Sequence, residues 1–392
     1  MPAPSTTQKP NSKPKATEAI DPIWPTWSAF GPPLNPPEFA PPLDYELVAP
    51  PGGIIQPDGV PSYTQEVASP EDVFYYNACQ RPTIDLERPD GLAPMGVIGD
   101  RTLNAGQILL TYKYSRDVFS GVRDGTDRLA NSDVLANYSL SPTHMVAERH
   151  MLQLEYAPTD DLTLLALLPY MQTGMDFVDR FGSTVSTGLT DPADVPLYAN
   201  YVLKRWERQQ LHLNMGLNIP LGLFDIKDVN PTPTSPTLTY PVRTSSGTYG
   251  LLPGLTYRGQ NDNWTWGTQA MGTIRFGLNT FDYRLGDRAD LTSWISRRWT
   301  SRFSTSARVL GSMWGNIHHS DPRLNPLLVP TNQPGLQGGQ RVDLMFGANY
   351  CLDGVFQGSR LGVEAGFPIY QHLSGPQPQQ QWTITCGWQL YF

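Results

Sequence analysis

The chain has 392 residues and a formal net charge of −8; 16% of its residues are charged, 39% hydrophobic and 11% aromatic. The charged fraction falls below the roughly 25% usual in water-soluble domains, and the acidic balance gives no basic footprint for nucleic acid. No apolar run reaches the roughly 18 residues of a transmembrane helix, the longest being LTLLALLPY at 162–170. A membrane β-barrel stays open, because only every second residue of its strands faces lipid.

Residues 1–95 differ in composition from the rest. PPLNPPEFAPPLDYELVAPPGG carries a proline at nearly every third position, which favours extended polyproline II and builds neither helix nor sheet. Residues 1–90 hold twelve Asp/Glu against five Lys/Arg, so nearly all the net charge sits there. The expectation is an acidic Pro-rich arm over 1–95, extended or disordered. Trp24, Trp27, Phe30, Phe39 and Tyr45 are many aromatics for a pure spacer and suit a periplasmic or cell-envelope partner. MPAPSTTQKPN lacks the apolar core of a secretory signal, so an exported chain would need a leader ahead of Met1.

From about residue 105 a two-residue alternation sets in, the side-chain period of a strand. Ile108, Leu110, Tyr112 and Tyr114 alternate with Gln107, Thr111, Lys113 and Ser115. Twelve such segments follow, at about 105–116, 147–157, 161–176, 191–204, 210–219, 247–258, 263–278, 287–299, 302–314, 339–352, 359–370 and 380–392. Most reach the roughly 9–11 residues that a tilted strand needs to cross a bilayer. The third and eighth are less clean, since Leu165, Leu167 and Trp294 fall on the otherwise polar face.

Short connections (PTDD, WERQQ, GQNDN, TS, GVFQGS) alternate with mostly longer ones. That is the pattern of an up-and-down barrel with periplasmic turns on one side and outer loops on the other. The predicted fold is therefore all-β: a twelve-stranded antiparallel transmembrane barrel over 96–392, preceded by the arm. The last segment, QWTITCGWQLYF, carries Trp382, Trp388, Leu390 and Phe392 on its apolar side. A sheet in hydrocarbon must close, because unpaired edge groups cost several kcal/mol each. These residues therefore belong to the closing strand.

A terminal Phe on such a strand resembles the C-terminal signature that the assembly machinery of bacterial outer-membrane barrels reads. STGLTDPADVPLYANYVL (186–203), through Gly188, Leu189 and Asp191, resembles a Gly-Leu-Gly-Asp stretch of outer-membrane transporters linked to the phenol meta-cleavage pathway. LNMGLNIPLG (213–222) and FPIYQHLSGPQ (367–377) resemble further segments of that family. The likeness covers about 95–392 and implies a twelve-stranded barrel passing small solutes, apolar or aromatic ones among them. Outer-membrane lipid and the assembly machinery are the implied partners.

By parity the lumen carries Lys113, Arg149, Lys204, Arg275, Arg288, Arg298, Arg308, Arg341 and Arg360. Against them stand Glu155, Asp194, Asp290, Asp343 and Glu364, with His212 as a polar lining residue. Nine cations against five carboxylates predict a mild anion preference. Met145, Met151, Met171 and Met175 share the lumen parity across one tight turn. They read as flexible apolar filler or, less readily, as a soft-metal patch. No G-x-S-x-G nucleophile motif accompanies the six histidines, so no enzyme, cofactor or resident metal is expected. The leading function is passive transport of small molecules across a bacterial outer membrane. The alternative is a structural or anchoring barrel whose arm binds a periplasmic partner or the cell wall, favoured by a blocked lumen.

Overall fold

The computed structural model describes residues 84–222, 227–232, 235–354 and 358–392. Most of the expected Pro-rich arm lies outside the described residues. No described helix is long and apolar enough to cross a membrane.

The first strand, β1 (Ile108–Gly125), leads through the short β2 (Asp127–Leu129) and a one-turn helix α1 (Asn131–Leu135) into β3 (Leu140–Thr159). There follow β4 (Leu162–Asp179), β5 (Thr184–Pro192), β6 (Val195–Trp206) and β7 (Gln209–Ile219). A small hairpin of β8 (Lys227–Thr232) and β9 (Ser235–Thr237) precedes β10 (Gly250–Gln260) and β11 (Trp264–Arg275). The chain continues through β12 (Tyr283–Arg284), β13 (Arg288–Arg298), β14 (Phe303–Trp314), β15 (His318–His319), β16 (Gly339–Cys351) and β17 (Ser359–Tyr391).

Eleven of these strands form one closed antiparallel barrel, ordered β17-β16-β14-β13-β11-β10-β7-β6-β4-β3-β1 and sealed by β17 on β1. Outside the ring, β2 pairs with β1 and β5 with β4. The twelve expected segments appear as eleven strands because the last two run on as one of 33 residues. Its first part pairs with β16 as far as Leu373, and the rest pairs with β1. Segments three to ten match their strands to within about four residues. The first two are longer than expected, at 18 and 20 residues. Bulges near Val118, Phe119 and Val122 break the alternation there, so the period hides part of the strand.

Parity places the side chains. Leu217, Leu291 and Met313 are 57%, 59% and 56% exposed, whereas His212, Asn214 and Thr292 are buried. Outward Leu, Tyr, Trp and Phe recur all round the ring, an apolar band that implies a hydrocarbon surround. At the seam Tyr112 faces Trp388 and Leu110 faces Leu390. Phe392 finishes it, donating its N–H to Ile108 O at 2.9 Å and accepting that residue's N–H at 3.2 Å.

At the opposite end the long loops pack on one another. Tyr240, Tyr283, Ile317 and Leu324 share a buried cluster. The Arg243 guanidinium lies 5.1 and 5.0 Å from the Tyr240 and Tyr283 ring centres and pairs with Asp321 at 2.9 Å. Arg323 pairs with the same carboxylate at 2.8 Å. Burial opposes ionisation of Asp321, but hydrogen bonds from Arg323 and the charge of Arg243 outweigh it and hold its pKa below the usual carboxylate range. Asp321 is thus taken up by arginines, while the neighbouring His318–His319 pair stays exposed.

Two outcomes follow. Replacing Trp388 and Leu390 together by Asp turns two carboxylates toward lipid on the sealing strand. The variant should lose the boiled-versus-unboiled gel shift of a closed barrel, and an unchanged shift would place the seam elsewhere. Because the Asp321 pKa is depressed, its contribution to the loop cap is complete above the ordinary Asp pKa near 4 and fades only as pH falls below it. At pH 8, Asp321→Asn should therefore expose Arg243 and Arg323 to trypsin, with cleavage at least several-fold faster than in the wild type, as peptide mapping would show.

Candidate functional site

The lumen is occupied. Residues 84–107 precede β1, and the stretch 89–103 among them is largely buried within the barrel as a plug, with exposed residues at both ends. Pro89 and Pro94 break regular pairing, and Gly99 and Gly106 turn with φ of 70° and 82°, which glycine tolerates. The segment therefore forms neither helix nor strand. Leu92, Met95, Asp100, Arg101 and Leu103 are almost wholly buried.

An irregular backbone leaves its polar groups without ladder partners, and buried ones must find others. Here wall side chains provide them. Ser304 donates to Pro89 O at 2.8 Å, and Arg360 donates to the carbonyls of Pro89, Leu92 and Ala93 at 3.3, 3.2 and 3.0 Å. Arg258 bonds Gly91 O. Lys113 reaches Val97 O at 3.0 Å and Gln269 reaches Ile98 O at 2.9 Å. Asn214 and His212 converge on Gly99 O at 2.7 and 3.0 Å, and Asn200 donates to Arg101 O at 2.9 Å. In return, Gly96 N–H donates to Glu364 at 2.8 Å and Leu103 N–H to Thr163 at 2.9 Å.

Charge and shape complete the fit. Arg101 of the plug pairs with Glu155 at 2.7 Å and with Asp100 at 3.0 Å. Trp294 packs on Ala93 and Val97, while Met151, Leu165 and Leu167 pack on Ile98. The apolar exceptions on the lumen face are therefore seats for the plug. Met95 sits in a notch opened by two wall glycines; a Cβ at Gly362 or Gly387 would strike its side chain. A Cβ at Gly96 would likewise run into the Arg308 guanidinium and Glu364 carboxylate.

Next to the plug residues Gly96–Ile98 lies a cavity of about 310 Å³ with Arg149, Arg288, Arg308 and Arg341 in its walls. Arg288 pairs with Asp290, Arg308 with Glu364, and Arg341 with Asp343, each at 2.8 Å. Among the described residues the Arg149 guanidinium makes no ion pair and no hydrogen bond, although its backbone is paired in the sheet. The other residues expected in the lumen scatter. Arg275 bonds Gly286 O, Asp194 accepts from Asn218 and Ser246, and Arg298 lies where β13 ends. Lys204 does not face the lumen: a register shift after Val202 turns it outward, over the Trp206 ring.

The four methionines divide between surroundings. Met145 and Met175 face each other across β3 and β4 and pack with Phe177, Leu189, Leu238, Val242 and Val329 where loops fold in. Met151 belongs with Leu165 and Leu167, and Met171 stands opposite Arg149. Arg258 was absent from the expected lumen residues. Its parity with Thr256 gives it away, but its place at a segment end hides it among turn residues.

No protein-family model and no curated protein matches the sequence. Among solved structures, an outer-membrane channel from Pseudomonas putida F1 matches with a TM-score of 0.50 at 11% identity, covering 75% of this chain and 98% of its own. A FadL homologue of Pseudomonas aeruginosa matches at TM-score 0.36 and 12% identity, covering 73% of this chain and 90% of its own. The P. putida toluene transporter TodX also scores 0.36, at 10% identity over 77% of this chain and 94% of its own. The first likeness shows the fold, that of an outer-membrane channel barrel; the other two are too distant to add to it.

Proposed function

We propose that this chain is a bacterial outer-membrane channel for small molecules whose lumen is held shut by its own segment 84–107. The observation that carries this reading is the charged cavity beside the plug. A barrel serving only as an anchor has no need to keep such a space within its wall. The outward apolar band and the sealed seam support the location. The plug approaches the short turns at both its ends: Arg88 bonds Asn261 O and Ala105 bonds Asp160. That supports a periplasmic position for the chain preceding it.

We also propose that the wall crosses the membrane twelve times. Neighbours in an antiparallel ring alternate in direction, so the eleven-strand ring closes with β17 counted as two crossings. β17 is antiparallel both to β16 and to β1, which requires the chain to reverse within it. Gln371 bonds the backbone of Gln380 at 2.9 and 3.0 Å across that reversal. The lining favours small anions over purely apolar solutes. A link to phenol degradation rests on the motif resemblance alone.

The anchoring alternative draws on the occupied lumen and on the density of bonds holding the plug. Planar-bilayer recording of the whole protein separates the two. A channel should show intermittent openings that become more frequent when the plug is loosened. Charge-assisted hydrogen bonds contribute about 1.5–3 kcal/mol each, and 1.4 kcal/mol is about tenfold. The pair Arg258→Gln and Arg360→Gln should therefore raise open probability at least tenfold. Silence from both proteins, with the closed-barrel gel shift intact, would favour the anchor.

A further inference from the structure

We infer that the lumen cavity binds a small organic monocarboxylate, with Arg149 as the partner of its carboxylate. This rests on reading the lumen as a solute route and names the class of solute. Three of the four cavity guanidiniums are already matched by wall carboxylates at 2.8 Å, so among the described residues Arg149 is the one left to meet a ligand.

Its neighbours suit that role. Arg149 stands opposite Ser115 across β1 and β3, and Ser115 opposite Thr385 across β1 and β17. Facing residues on one side of a sheet lie about 5 Å apart at Cβ. A guanidinium and two hydroxyls thus form a row over three adjacent strands, with Thr383 beside it in the same lining. The guanidinium fork matches a carboxylate in two parallel hydrogen bonds, and a hydroxyl can add a third.

Two further features narrow the class. Asp117 lies on the same face of β1 as Ser115 and lines the cavity. Its charge opposes a second negative charge on the ligand and so disfavours phosphate dianion. Tyr198, Met271, Leu310 and Met345 also line the cavity, giving the rest of the ligand an apolar and aromatic surround. The volume of about 310 Å³ is at the lower end of the roughly 300–1,000 Å³ range of ligand sites, which sets the scale at a single ring or short chain.

Calorimetric titration of the whole detergent-solubilised protein tests this with three probes. Benzoate should bind saturably. Benzyl alcohol, lacking the charge, and inorganic phosphate, lacking the apolar body, should each bind at least tenfold more weakly. Arg149→Gln should weaken benzoate at least tenfold, and Arg149→Lys should restore part of the loss, both with the closed-barrel gel shift retained. Equal binding of benzyl alcohol, tighter binding of phosphate, no binding of benzoate, or benzoate binding indifferent to Arg149→Gln would each overturn the assignment. Conductance in KCl is read separately. Binding without conductance would remove the channel reading and leave the site; conductance without benzoate binding would do the reverse.

Discussion

Irregular backbone enclosed by a β-sheet has to find hydrogen-bond partners that the sheet itself does not offer. Most residues of the ring spend their N–H and C=O on neighbouring strands, and apart from the bonds of Gly106 and Gln107 with the Ala157 backbone the plug is met by side chains. The structure meets this with donors: Lys113, Arg258, Arg360, His212, Asn200, Asn214 and Gln269 all point at plug carbonyls. A buried polar group without a partner costs about 1–3 kcal/mol. A wall of the same shape with apolar lining would expel this segment rather than hold it.

That requirement recasts the wall's positive charge. Counted by parity, the cations looked like a selectivity device. In the structure Lys113 and Arg360 serve carbonyls, while Arg288, Arg308 and Arg341 are balanced by carboxylates. Much of the excess compensates backbone dipoles of one's own chain, which no tally of side-chain charges can reveal.

The wall was legible because its information is local. A two-residue period and alternating turn lengths are written in consecutive residues, and they locate most strands to within a few positions. The plug was not legible because DLERPDGLAPMGVIGDR has the proline, glycine and charge content of a linker, and its partners lie up to 271 residues away in sequence. The sequence nevertheless held two traces of it. Leu165, Leu167 and Trp294 broke the polar parity of the lumen, and they are where Ile98, Ala93 and Val97 rest. Gly362 and Gly387 left gaps on the inner face, and Met95 fills them. The extended end of β1 was missed for another reason, since bulges reset the period before the strand ends.

The plug's path has a topological consequence. Asp85 is held by Gln260 and Ala105 by Asp160, both at the short-turn rim, while Gly96 lies deeper, against Glu364. The segment dips in and returns by the same opening, like a bent finger. A strand running from one mouth to the other could leave only by threading its free end or breaking the seam. A finger can slide out and back with every rung of the surrounding ladder intact, so nothing in the ring has to unpair for the interior to be cleared.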